Sequence, residues 1–165
     1  NVDVTYDVAK GITSLIKNNI DLYPHQNGTV DNPRLAADAV VAHGTLYPDN
    51  IHIKHDPDGK IHFTVSGGDR AQGYGTRGQM IDWLVTSAAG SPPHQRAMID
   101  EYLRLNPGDK DKRSLAMQLT YRSIMEIPWF VRHGKSTEAN NLATLTLDIL
   151  KGNGPWAGVN TPLTR

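Results

Sequence analysis

Ile127-Pro128-Trp129-Phe130-Val131-Arg132-His133-Gly134-Lys135-Ser136-Thr137-Glu138-Ala139-Asn140 is the stretch on which the reading of this chain turns, because it joins two helical patterns. Upstream, a charged turn from Asp109 to Arg113 leads into a helix predicted from Ser114 to about Glu126. Pro128 is expected to stop that helix, since proline lacks an N–H to donate and its ring clashes with the preceding turn. Downstream, Ser136 or Thr137 is the expected cap of a helix running through Leu150 and ended by Gly152. Leu142, Leu145, Leu147, Ile149 and Leu150 spread around much of its cylinder, the pattern of a helix at the centre of a small bundle.

The connection itself has two halves. Trp129 and Phe130 are expected to anchor it in the core, which leaves Arg132, His133 and Lys135 at the start of the last helix. Three cations there oppose the helix dipole unless an anion sits among them. Gly134 permits close backbone approach, and Ser136 and Thr137 add hydroxyl donors. The composition suits a phosphate on a helix start; the competing reading is an ordinary turn with solvated charges. Gly134-Lys135-Ser136 is not a Walker loop, because the upstream glycine would fall at Trp129.

Working outward, Val8, Ile12, Leu15, Ile16 and Ile20 share a face in a helix predicted over residues 7–22. A second helix is expected after Asn32 and Pro33, with a run from Leu35 to Ala42 and a stop at Gly44. Ile51 to Val65 reads as a β-hairpin. Asp56-Pro57-Asp58-Gly59 favours a three-residue loop that pairs Asp56 with Lys60, Ile53 with Phe63 and Ile51 with Val65. That register puts Ile51, Ile53, Ile61, Phe63 and Val65 on one face, expected to be buried, and His52, Lys54, His62 and Thr64 on a wet one. A helix capped by Thr76 and stopped by Gly90 follows, then one from Ser91-Pro92 to Asn106-Pro107-Gly108. The tail beyond Gly152 reads as irregular. The expected fold class is α+β, mainly α: a single domain of five or six helices with one β-hairpin.

Residues 66–78 form a glycine-rich connection in which Gly73-Tyr74-Gly75-Thr76-Arg77-Gly78 spells G-x-G-x-x-G. The strand before it belongs to an antiparallel hairpin and the helix after it leads to another helix, so the βαβ unit of a dinucleotide fold is missing. Exposed N–H groups with Arg70 and Arg77 would suit an anion; a plain linker is the alternative.

Composition limits the remaining options. Seventeen basic and seventeen acidic residues cancel, a poor basis for binding nucleic acid or anionic membranes. No apolar run approaches the roughly 18–20 residues of a membrane span, so a soluble domain is expected. The absence of cysteine excludes disulfides, a thiolate zinc site and a cysteine nucleophile. His52 and His55 fall on opposite faces of a strand, so no metal site is expected from the histidines. No serine sits in a G-x-S-x-G elbow, and the E-x-E pair and β core of an ADP-ribosyltransferase are absent. The chain begins Asn1-Val2-Asp3, and the expectation is a domain excised from a longer chain whose address lies elsewhere.

Helix, proline-aromatic turn, arginine, glycine, small hydroxyl residue, then a buried helix resembles the core of the Fido fold, which contains Fic proteins and AvrB-like bacterial effectors. Pro128, Trp129, Phe130, Arg132, Gly134 and Ser136 follow the looser AvrB-like pattern, and the hairpin at Ile51–Val65 would correspond to the flap of Fic proteins. The Fic histidine position falls at Ile127 or Pro128, neither a base; His133 would substitute only if it points into the pocket. Of the carboxylates Glu126, Glu138 and Asp148, Glu138 is the best placed catalytic candidate, in the first turn of the last helix, where it also stabilises the dipole. The resemblance implies a nucleotide cofactor held by Arg132, His133, Gly134, Lys135 and Ser136, with Arg70 or Arg77 reaching in. It further implies transfer of a nucleotide-derived group to a target protein by a virulence effector or toxin acting inside a host or target cell. The alternative is an inactive protein-binding domain of the same fold, recognising its partner through the histidine-bearing hairpin face.

Overall fold

The computed structural model describes residues 2–19, 40–43, 46–67, 72–75, 78 and 81–159. The order is α1 (Val2–Asn18), β1 (Val40–Ala42), β2 (Ile51–His55), β3 (Ile61–Val65), β4 (Gln72–Gly75), α2 (Asp82–Ser87), α3 (Pro92–Leu105), α4 (Asp109–Arg132) and α5 (Ser136–Lys151). Turns of 3-10 helix occur at Pro48–Asn50, Ala88–Gly90 and Gly154–Trp156. The chain is α+β and mainly helical, and the described residues include two separate antiparallel strand pairs, β1–β4 and β2–β3.

α5 buries one apolar face, on which Leu142 and Ile149 are fully buried; its Asn140 and Thr144 are exposed, so it is not apolar on all sides as expected. It packs most extensively on α4 and also meets α1. Leu15 of α1, Val85 of α2, Ile99 of α3 and Leu115 and Leu119 of α4 close the main core with it. Each such side chain contributes about 1.5–3 kcal/mol by leaving water. A second, smaller core of Ala89, Phe130, Ala139 and Leu142 lies beneath the α4–α5 junction. The tail is less irregular than its glycines and prolines imply: Trp156 and Val159 are both buried in the main core.

Several boundaries differ from expectation. Val40–Ala42 is not the end of a helix but strand β1, paired with β4; two consecutive β-branched residues suit a strand better than a helix. The other positions of that predicted helix lie outside the described residues. The glycine-rich connection is likewise a strand over Gln72–Gly75. Gly78 is a close-approach glycine, since a Cβ there would lie 2.9 Å from the backbone of Leu115. The Thr76 cap lies outside the described residues, and the helix that follows starts at Asp82.

α4 begins at Asp109, so the expected charged turn is its first turn, where two acidic residues complement the dipole. It then passes through Pro128 to Arg132. Pro128 leaves the carbonyl of Ile124 without its usual N–H, but both residues are on the exposed face, where water can serve that carbonyl.

The hairpin register is the expected one, with Ile51 opposite Val65 and Ile53 opposite Phe63. Its loop is closed by Gly59 N–H donating to the Asp56 carbonyl and Asp56 N–H donating to Lys60, each at 2.9 Å. The burial expectation fails: Ile53 is 57% exposed and Phe63 67%. Both faces of the hairpin are open, and it stands out from the bundle as an arm.

Candidate functional site

The sequence assigned its anion site to the α4–α5 turn, and the backbone there has a defined geometry. Lys135 N–H donates to the Phe130 carbonyl at 2.9 Å and Gly134 N–H to Val131 at 3.2 Å. Gly134 has φ +71°, so this is a Schellman-type helix end that needs a glycine for its left-handed residue. Arg132 is therefore the last residue of α4 and His133 its C-cap. Both stand at the negative end of α4 as well as near the positive end of α5, so the dipole penalty expected from α5 alone is partly offset.

Side chains at the turn form a small aromatic and cationic cluster. Trp129 is 39% exposed rather than buried, and only Phe130 of the expected pair anchors in the core. His133 stacks on Trp129 with ring centroids 4.0 Å apart. Its Nδ1 donates to the Trp129 carbonyl at 2.8 Å, which leaves Nε2 of the neutral ring as the free acceptor. The Lys135 ammonium lies 5.4 Å from the Trp129 ring centroid, within reach of a weak cation–π attraction.

Ser136 is the first residue of α5, not its cap. Lys135 is the N-cap position, and no side chain caps the helix. Glu138 is half-buried in the first turn, beside Gly90. The turn thus brings together Arg132, His133, Gly134, Lys135 and Ser136 as an exposed surface. Arg70 and Arg77 lie outside the described residues. On the hairpin, His62 bonds Asp56 at 2.7 Å and His52 bonds Ser66 at 3.0 Å, while Lys54 pairs with Asp56 at 3.1 Å. His52 and His62 share a face and His55 lies on the other, as the register requires.

Sequence reasoning missed a polar cluster around Arg122 of α4. Asp82, almost fully buried, receives hydrogen bonds from Arg122 at 3.2 and 3.4 Å and from the Trp83 N–H at 2.7 Å. The Arg122 guanidinium also covers the Trp83 ring at 3.5 Å, and Tyr47 packs on that ring from the hairpin side. Burial raises the Asp82 carboxyl above its ordinary value despite Arg122 and the Trp83 N–H, and Glu126 adds to the rise. Nothing local in the sequence marks this pairing across 40 residues.

Among the described residues no helix is long and apolar enough to cross a membrane. Comparison with protein families, with characterised proteins and with solved structures finds no match to this chain.

Proposed function

We propose that this domain binds the phosphate of a nucleotide, or of another phosphorylated small ligand, at the α4–α5 turn. In an effector- or toxin-like role it would pass part of that nucleotide to a hydroxyl of a target protein. The observation that carries this reading is Arg132. Arg96, Arg104, Arg113 and Arg122 each pair with a carboxylate, and Arg132 is the arginine among the described residues that does not. Lys135 likewise has no carboxylate partner there, and the first N–H groups of α5 have no side-chain cap. An oxyanion set between them would meet two cations and free backbone donors. The likeness of Pro128, Trp129, Phe130, Arg132, Gly134 and Ser136 to the AvrB-like pattern supports the same ligand class.

In the transfer, the target hydroxyl oxygen forms a bond to phosphorus, the remaining phosphate portion leaves with its bonding pair, and the hydroxyl proton goes to a base. His133 is the candidate, because its Nδ1 bond and stacking on Trp129 orient Nε2 as acceptor. Glu138 is the second candidate, at the same helix start.

Calorimetric titration with ATP, GTP, a UDP-sugar and NAD tests the binding step. Millimolar or tighter affinity for one of them is expected, weakened about 10–100-fold in Arg132→Ala, the weight of one or two charge-assisted hydrogen bonds. Absence of binding by every nucleotide at millimolar concentration would overturn the reading.

A second reading, an inactive protein-binding domain of the same fold, is favoured by the uncovered apolar face of the hairpin. Its partner would lose binding to Phe63→Ser and keep it with Met125→Ser, an exposed apolar change on α4; equal loss in both would sink it.

A further inference from the structure

A cleft of about 270 Å³ opens between α3, α5 and the turn after α5, away from the α4–α5 turn. Its walls follow from helical spacing. Pro92, Gln95, Arg96 and Ile99 of α3 and Asn141, Thr144, Leu145 and Asp148 of α5 line it. Each set runs i, i+3, i+4, i+7, one face of a helix. The Gly154–Trp156 turn closes the end, with Ile99 and Trp156 buried beneath as an apolar floor.

Polar groups of the cleft are mostly acceptors. Gln95 is 4% exposed and gives its Nε2 to the Val85 carbonyl at 2.8 Å. Its Oε1 has no partner among the described residues and is not among the sealed orphan atoms of the core, and Gln95 lines the cleft. Asn141 spends its Nδ2 on the Ala89 carbonyl and Asn153 spends its Nδ2 on Asp148 Oδ1, which leaves both amide oxygens without a donor among the described residues. Asp148 keeps its second carboxylate oxygen and has no cationic partner among the described residues. It also stands in the last turn of α5, where a negative charge opposes the helix dipole. Arg96 is the cation on the cleft wall, and its Nε–H donates to both oxygens of Asp100 at 2.8 Å.

We propose that this cleft is a binding site for a small primary amine on a short apolar stem, its ammonium on Asp148 and the amide oxygens of Gln95, Asn141 and Asn153. An ammonium has three donors and no acceptor, the complement of this lining. A stem of four or five carbons fits the volume over Ile99, Leu145 and Trp156. The charge would also relieve the misplaced carboxylate at the negative end of α5.

The test is an NMR titration of the whole domain with n-butylammonium chloride, following the side-chain amide signals of Gln95, Asn141 and Asn153. Saturable shifts in the millimolar range are expected. The same concentration of 1-butanol, which has the stem without the charge, should produce none. Asp148→Asn keeps the acceptor for Asn153 and hence the local fold, and should weaken the amine about tenfold. Arg132→Ala should leave amine binding unchanged, which separates this site from the phosphate site. Equal response to amine and alcohol, unaltered affinity in Asp148→Asn, or no saturable shift would each overturn the proposal.

Discussion

The hairpin arm and the helical bundle are built from the same apolar residue types and treat them in opposite ways. Ile149 and Leu142 of α5 are fully buried, whereas Ile53, Ile61, Phe63 and Val65 of the arm are about half exposed or more. In the bundle's cores each apolar side chain has another element within van der Waals reach, while Tyr121, Ile124, Met125 and Val131 of α4 stay exposed. On the arm, β2 pairs with β3 and both strands stay largely exposed. The lesson is that apolar periodicity specifies a face, and packing decides whether that face contributes to stability or is left for contact with something else.

Truncation should separate the two regions most sharply. Leu142→Ala removes the fully buried leucine of the second core and should cost about 2–5 kcal/mol in urea unfolding. A cost under 1 kcal/mol would break the comparison from the bundle side. Gly78→Ala should cost about 1–3 kcal/mol, since its Cβ would press on the Leu115 backbone rather than on a side chain that can swing away.

Asp82 sharpens the comparison, because it is a charge buried against the apolar bundle. Burial raises its folded pKa above the unfolded value. The associated stability is fully present below the unfolded carboxyl pKa and is lost as pH rises through the folded one. Wild type should therefore lose stability relative to Asp82→Asn as pH rises across that window, measured by parallel denaturation curves. A difference independent of pH would contradict the assignment. Last, Phe63→Ser on the arm should change unfolding free energy by less than about 1 kcal/mol, the loss of one cross-strand pair. A core-sized loss there would show that the arm is packed after all.

Legibility followed the range of the interactions. The hairpin register could be read because a turn and an alternation, both local, fix it. The starts of α3 and the stop of α5 were marked by Ser91-Pro92 and Gly152. Pro128 misled, because its penalty depends on whether the freed Ile124 carbonyl meets water, and that is a matter of which side of α4 faces out. Val40–Ala42 misled for a related reason: three residues take strand geometry when β4 is alongside to pair with them. At the candidate site, the residue types of the turn were legible, but not that Arg132 closes one helix while Ser136 opens the next. The Asp82–Arg122 pair and the amine-shaped cleft left no local trace, since each joins residues 40 or more positions apart.

The sequence by itself determined the mainly helical class, the hairpin register and the crowding of Arg132, His133 and Lys135. These rest on periodicity, turn chemistry and adjacency, which act over a few residues. Tertiary structure alone decided which apolar face is covered, which cation keeps no partner and where two helix faces leave a gap. Burial, ion pairing and cavities depend on what lies across from a residue, and only the assembled chain supplies that neighbour.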